Sequence, residues 1–371
     1  MGALNYIIPF LILLTVVVFI HEYGHYYFAK KFGVGVTDFS IGFGKEIFGW
    51  KDKSGTRWKI CWLPLGGYVK FFGDRNVFSQ EEQEKIIKKY NEEERKKLFI
   101  LKPLYQRSII IAAGPLANFV LAIVIFLMIN MFVGKDITPA VIDEVFPNTP
   151  ASVAGLKKND KIIYIDGKEV KSVLEVSSLI NSSFSESINF IISRDDVEIS
   201  FLLKPNLVDS KDPYGNKVKK KIIGIKLFIK NNKFEKKPLG PADSLYYSVK
   251  EVWFVTSTSL NYLVKVVNGS ADSSQLGGPI RIAKITGQVA EHGIIPFLSI
   301  MAYISISLGL INLFPIPMLD GGHLMFYFFE KILGKPLNQK IQEGFFRIGF
   351  ILLISLMFFV TFKDLKEIGL F

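Results

Sequence analysis

The sequence predicts a polytopic α-helical membrane protein with about four transmembrane helices, a membrane-associated β-hairpin loop after the first, and one inserted α+β domain. Three observations carry this prediction. The 371 residues combine 21% charged residues and a net charge of +11 with 33 phenylalanines, and the mean hydropathy is still positive. Charge and apolarity of this strength coexist only when they are segregated along the chain. Uncharged runs do recur four times, and three of the four histidines lie at the ends of two of those runs.

The first run, residues 1 to 20, has no ionisable side chain, and the second lies between Arg107 and Lys135. Both can cross a hydrocarbon core about 30 Å thick, which takes about 20 helical residues. A third extends from Gly293 to Leu319, and a shorter fourth between Arg347 and Lys363 has basic flanks that can snorkel to the interface. The first run reads as a retained span and not as a cleaved signal. No basic region precedes it, no A-x-A site follows, and it ends in His-Glu-Tyr-Gly-His. Lys30 and Lys31 after the first span, and Lys331, Lys335 and Lys340 between the third and fourth, place those ends in the cytoplasm by the positive-inside rule. The long stretch from about 135 to 292 then faces outward. Its lysines do not contradict this, because long translocated domains escape the rule.

Residues 31 to 103 begin with glycine-punctuated alternating segments that read as β-hairpin material, followed by a solvated, highly charged helix over 80 to 97. Residues 139 to about 232 alternate apolar strands with turn signals such as Asp166-Gly167, and one short helix fits 172 to 181. Between 239 and 266, charge in the middle of an apolar run argues for an amphipathic helix at the outer interface. The expected division is therefore 1–134, 135–237, 238–292 and 293–371. Nucleic acid is not an expected partner, since the basic charge comes without a helical or aromatic binding motif. A disulfide scaffold or thiolate cluster within the chain is excluded by its single cysteine, Cys61.

His21 and His25 are spaced to share one helical face, with Glu22 beside them. This is H-E-x-x-H, in which two imidazoles bind zinc and the glutamate acts as base. Ionisable groups clustered at the end of an apolar span mark a functional site. Catalytic zinc takes a third protein ligand and keeps one position for water. His323 and Asp320 both stand at the end of the third run. Asp320 is favoured, because an acid there needs a partner; His323 is left as an interfacial residue or a hydrogen-bond donor to a ligand.

The run Ala154-Gly155-Leu156, Asn159 to Ile163 and Ile165-Asp166-Gly167 resembles a PDZ domain, a module that docks extended peptides by strand addition. HEYGH, GPLAN (Gly114, Pro115, Asn118), GPIRIA at 278 to 283 and N-x-x-P-x-P-x-L-D-G-G from Asn312 to Gly322 together resemble the site-2 protease family of intramembrane zinc metalloproteases. The bacterial branch called regulator of sigma-E protease is the nearest in appearance. The resemblance implies Zn2+ on His21, His25 and Asp320, Glu22 as base, and cleavage of a transmembrane substrate within the lipid bilayer of the bacterial inner membrane. The implied substrate is an anti-sigma factor already trimmed on its outer side, with the PDZ-like domain outside and the active site near the cytoplasmic face. It also implies that Asn312 and Pro315 help hold the unwound substrate, and that Gly42-Phe43-Gly44 belong to a re-entrant β-loop presenting it as an added strand. Better-known relatives of that branch carry two tandem PDZ domains, whereas the stretch between Gly134 and Lys237 has room for one. Two alternatives remain open at this point: a membrane-anchored PDZ adaptor whose zinc is structural, with Cys61 or His292 as further donors, and the same protease serving another circuit such as signal-peptide clearance.

Overall fold

A computed structural model describes residues 4–73, 90–183, 185–211, 217–229, 234–269 and 277–367. Part of the charged stretch expected to be helical, 80–89, lies outside them. Contacts divide the chain into two compact units, one formed by 1–126 with 248–371 and the other by 127–247.

Helix α1 (Leu4–Lys31) opens the first unit and ends in Lys30 and Lys31, cations that suit the negative end of a helix dipole. Strands β1 (Val36–Lys51) and β2 (Arg57–Phe71) follow. They form more than the hairpin expected. Each strand bends midway, so that four short segments lie side by side. Segment 67–71 pairs with 36–41 (Val36 opposite Phe71, Ser40 opposite Tyr68), 36–41 pairs on its other side with 57–60 (Phe39 opposite Trp58), and 57–61 pairs with 46–51 (Trp50 opposite Trp58). Segment 67–71 is thus one edge. Phe39 is fully buried, stacked on Trp58 at 4.2 Å with Tyr26 of α1 packed on that indole at 5.1 Å. The turn carboxylate Asp52 accepts hydrogen bonds from Tyr26, Trp58 and the Ser54 and Thr56 backbones, fastening the sheet to α1. Ala29, Val34, Val36, Phe71 and Ile110 form the apolar core beneath it. The sheet also exposes Phe43, Ile47, Phe48, Trp50, Trp62 and Leu63.

The short α2 (Glu92–Arg95) carries an Asn91–Glu94 capping box, after which α3 (Leu104–Phe132) runs as a second long apolar helix with Pro115 inside it. The second unit then takes in β3 (Lys135–Asp136), β4 (Ile142–Val145), α4 (Pro150–Ala154), β5 (Lys161–Ile165), β6 (Lys168–Glu169), α5 (Val173–Ser182), β7 (Ile188–Arg194), β8 (Val197–Leu203), β9 (Asn206–Lys211), β10 (Lys217–Ile222), β11 (Ile225–Leu227) and β12 (Lys236–Lys237). Strands β6-β5-β7-β8 make an antiparallel sheet; β4 pairs with β11, β9 with β10 and β3 with β12. Asp166 and Gly167 both have positive φ, 47° and 71°, as a two-residue hairpin turn between β5 and β6 requires. Along β7, Ile188, Phe190 and Ile192 are fully buried, and they share a core with Ile162, Ile165, Val176 and Leu203. That period of two is the mark of a sheet with one buried face. The Asp160 carboxylate is clamped by both Nε and Nη2 of Arg194 at 2.7 Å.

The chain re-enters the first unit along α6 (Pro241–Val267), then α7 (Pro279–Glu291), α8 (Ile294–Asn312), α9 (Asp320–Leu333) and α10 (Gln339–Glu367). Asp364 of α10 accepts from the Gly278 and Arg281 backbone N–H groups, both at 3.0 Å, so it caps α7. Four helices, α1, α3, α8 and α10, are long and apolar enough to span a membrane. The third run differs from its expected extent: the helix stops at Asn312 rather than Leu319, and the connection to the fourth contains α9. Pro315 and Pro317 explain the stop, since each lacks an N–H and disfavours helical geometry in the residue before it.

Candidate metal centre

His25 follows His21 by four positions, about one helical turn of α1, and this spacing puts both rings on the same side. The two Nε2 atoms lie 3.3 Å apart, and both residues are buried. Asp320, first residue of α9, arrives from the opposite end of the sequence. Its Oδ2 is 3.2 Å from His21 Nε2 and its Oδ1 is 3.5 Å from His25 Nε2. The chain delivers it through a tight 313–319 loop, in which Ile316 N–H donates to Phe314 O at 2.7 Å and Met318 takes a φ of 89°. Gly321 and Gly322 allow the first turn of α9 to lie against that loop; a Cβ on Gly322 would stand 2.4 Å from Ile316 O.

The three donors fit zinc. Ligands at about 2.0–2.1 Å from a tetrahedral ion are separated by about 3.3 Å, which the 3.2, 3.3 and 3.5 Å spacings match. Two imidazoles and one carboxylate are also a donor set that leaves a fourth position open. Both Nδ1 atoms face away from the cluster: His25 Nδ1 lies 2.8 Å from Ile110 O, and His21 Nδ1 lies 3.2 Å from the Asn118 side-chain amide. Gly114 of α3 lies under the His25 ring, where a Cβ would fall 2.2 Å from Nε2.

Glu22 stands one residue along from His21, and the Val69 backbone reaches its carboxylate. A Cβ on Gly67 would be 3.0 Å from Glu22 Cγ, so the edge segment 67–71 passes directly beside this acid. Of the other residues singled out in the sequence, Gly42, Phe43 and Gly44 form the first bend of the sheet, with Phe43 stacked on Tyr68 at 6.1 Å. Asn312 closes α8, and Pro315 is exposed in the loop that leads to Asp320. His323 packs on Phe346, 5.4 Å between ring centres. Cys61 is buried in the sheet beside Ser40, and His292 bonds the Gln288 carbonyl. Among the described residues, His21, His25 and Asp320 are the group placed to hold a metal ion, and neither Cys61 nor His292 joins them. The roles of Ile110, Asn118 and Gly114 were not read from the sequence, although GPLAN contains two of them. Each contacts a histidine roughly ninety positions away, and the GPLAN resemblance signals Gly114 and Asn118 but not Ile110.

Residues 9–356 match the model of peptidase family M50. A candidate zinc metalloprotease of Agrobacterium fabrum, Atu1380, is 39% identical over 98% of this chain and 96% of its own length. The metalloprotease MmpA of Caulobacter vibrioides is 33% identical over 100% of this chain and 98% of its own. A candidate zinc metalloprotease of Rickettsia conorii, RC0203, is 37% identical over 98% and 99% respectively. A full-length match of this kind, on a chain with four potential membrane spans, means that the protein is a zinc-dependent membrane metalloprotease and belongs to peptidase family M50, the site-2 proteases.

Proposed function

We propose that this metalloprotease cuts transmembrane segments of membrane proteins inside the bilayer, with His21, His25 and Asp320 holding the zinc and Glu22 moving the proton. The observation that carries the reading is the position of segment 67–71. Its backbone forms the edge of the sheet and runs past Glu22 at the same end of α1 where the three donors converge. A helical peptide bond is shielded by its own hydrogen bonds and must be unwound before it can be attacked. An edge strand offers the freed backbone new partners, and the substrate then lies extended next to the acid. Bound zinc would supply Lewis acidity to the attacking water and the scissile carbonyl. Glu22 accepts the proton that water loses as its oxygen bonds to the carbonyl carbon, then delivers a proton to the amide nitrogen as the C–N bond breaks. Asn312 and Pro315 border the path by which an extended chain would reach Asp320, and Gly42-Phe43-Gly44 shape the bend that sets segment 67–71.

The wider reading has the chain in a bacterial inner membrane, its metal centre toward the cytoplasm and its PDZ-like domain, residues 135–237, outside. That domain restrains substrates rather than cutting them, since none of the clustered donors lies within it. The substrate class is a single-span protein shortened on its outer side, such as an anti-sigma factor in an envelope stress response. The test is Glu22→Gln in purified protein. It should retain zinc, bind a transmembrane substrate and fail to cut it; cleavage at the wild-type rate would refute the assignment of Glu22. Substrates trapped by this variant identify the circuit.

A further inference from the structure

Asn118 is fully buried on α3. Its side-chain nitrogen stands 3.2 Å from His21 Nδ1, and its Oδ1 is one of the few buried side-chain atoms among the described residues with no hydrogen-bond partner. The residue is also held from behind. Ser305 Oγ of α8 donates to the Asn118 carbonyl at 2.9 Å, and Gly309 of the same helix leaves only enough room for the Asn118 Cβ, 3.3 Å from where its own would stand. The backbone and Cβ that carry this amide are thus held beside the imidazole.

The donor arrangement decides which end of that amide faces the ring. A neutral imidazole carries one proton, so a nitrogen that binds metal requires the proton on the other. His21 Nε2 and His25 Nε2 point at each other and at Asp320, hence both Nδ1 atoms must be N–H donors if the cluster holds a metal. His25 has its acceptor in the Ile110 carbonyl, at 2.8 Å. For His21 the atom within reach is the Asn118 amide, and an NH2 facing an N–H would leave two donors opposed. A half turn of the amide replaces that NH2 with a carbonyl oxygen at the same place. One end of the amide lacks a protein partner in either setting, so the His21 end makes the choice.

We propose that Asn118 presents its side-chain carbonyl to His21 Nδ1–H and thereby fixes the imidazole tautomer whose Nε2 is free for zinc. This rests on the reading of His21, His25 and Asp320 as ligands, and it gives the asparagine of GPLAN a task as a positioning residue. Outer partners of this kind orient a ligating histidine and raise its basicity.

The experiment measures zinc affinity by chelator competition in full-length, detergent-purified wild type, His21→Ala, Asn118→Asp and Asn118→Leu, alongside the melting temperature of each metal-free protein. Asn118→Leu has no acceptor and should bind zinc about 10–100-fold more weakly than wild type at an unchanged metal-free melt. Asn118→Asp keeps an acceptor and should bind within a few-fold of wild type. If His21→Ala loses zinc but Asn118→Leu binds like wild type, the proposal is wrong and the ligand reading stands; equal weakening in Asp and Leu variants also overturns it. If His21→Ala binds zinc as tightly as wild type, the ligand reading itself fails. Should Asn118→Leu not fold, 15N NMR of histidine-labelled, metal-free wild type answers the question directly. A protonated His21 Nδ1 supports the proposal and a bare one overturns it.

Discussion

Replacing Gly114 with alanine puts one methyl group under the ring of His25. The added Cβ would lie 2.2 Å from Nε2, 2.5 Å from Cε1 and 2.8 Å from Cδ2, whereas ordinary contact begins at 3.4 Å. The ring, or the helix carrying it, must therefore retreat by about 1.2 Å. The two helices touch at the adjoining residues, where Gly24 meets the Ala113 carbonyl so closely that its own Cβ would stand 2.3 Å from that oxygen, so a tilt of α1 away from α3 would undo this packing. Zinc sites tolerate ligand displacements of about 0.2 Å, and a misplacement near 1 Å costs on the order of 100-fold. The fold itself should lose only the overpacking energy, about 1–3 kcal/mol. The expected result is a folded protein with cleavage reduced on the order of 100-fold and zinc held more weakly than in wild type. Zinc content by mass spectrometry after chelator competition reads it, with Val120→Ala, on the exposed face of the same helix, as the control. A Gly114→Ala protein that keeps stoichiometric zinc under the same competition would show that His25 Nε2 is not a ligand in this geometry.

Arg107 and Glu330 form a two-pronged ion pair at 3.1 and 2.5 Å that ties α3 to α9, and both side chains are largely buried. Glu330→Gln, which strands the guanidinium, should lower stability by about 3–5 kcal/mol, whereas the apolar pair Arg107→Met with Glu330→Leu should recover most of it in a thermal melt. The Asp52 carboxyl is pushed up by desolvation, yet the hydrogen bonds of Ser54, Trp58, the Thr56 backbone and Tyr26 outweigh this and hold it well below the ordinary carboxylate range. A depressed value stabilises the fold above the unfolded pKa of about 3.9 and ceases to do so as pH falls toward the folded value. The stability gap between wild type and Asp52→Asn in a pH-dependent melt should therefore be full at neutral pH and narrow only below about pH 4. For orientation, Lys335→Cys should react with thiol reagents only after the membrane is opened, and Asp196→Cys should react in intact cells. The reverse pattern would invert the proposed topology.

The spans were legible because they rest on one property, absence of charge over a helical length, which needs no tertiary information. The candidate metal centre was legible for a related reason. His21 and His25 declare a shared face by spacing, and an acid at the end of an apolar run needs a partner. The end of the third helix was misjudged because hydropathy does not register prolines: Leu313 to Leu319 are as apolar as a span, yet they form the loop that places Asp320. The double bend of β1 and β2 was hidden because alternation reports strand character but not which segment neighbours which. Pairing 36–41 with 67–71 on one side and 57–60 on the other depends on the bends around Gly42 and Gly66. The need for glycine at 114 arises from a ring on another helix, and no local pattern encodes it.

The cap that Asp364 places on α7 has a consequence for how the chain is made. The Gly278 amide and its acceptor are separated by 86 residues, so at about 5–20 residues per second synthesis takes about 4–17 s to supply the carboxylate. During that interval the exposed N–H groups and positive dipole end of α7 must be met by water or lipid headgroups. By then His21, His25 and Asp320 have all left the ribosome. The nascent chain thus owns the complete set of proposed metal donors before α7 has its permanent partner, and only insertion of the last span locks it in place.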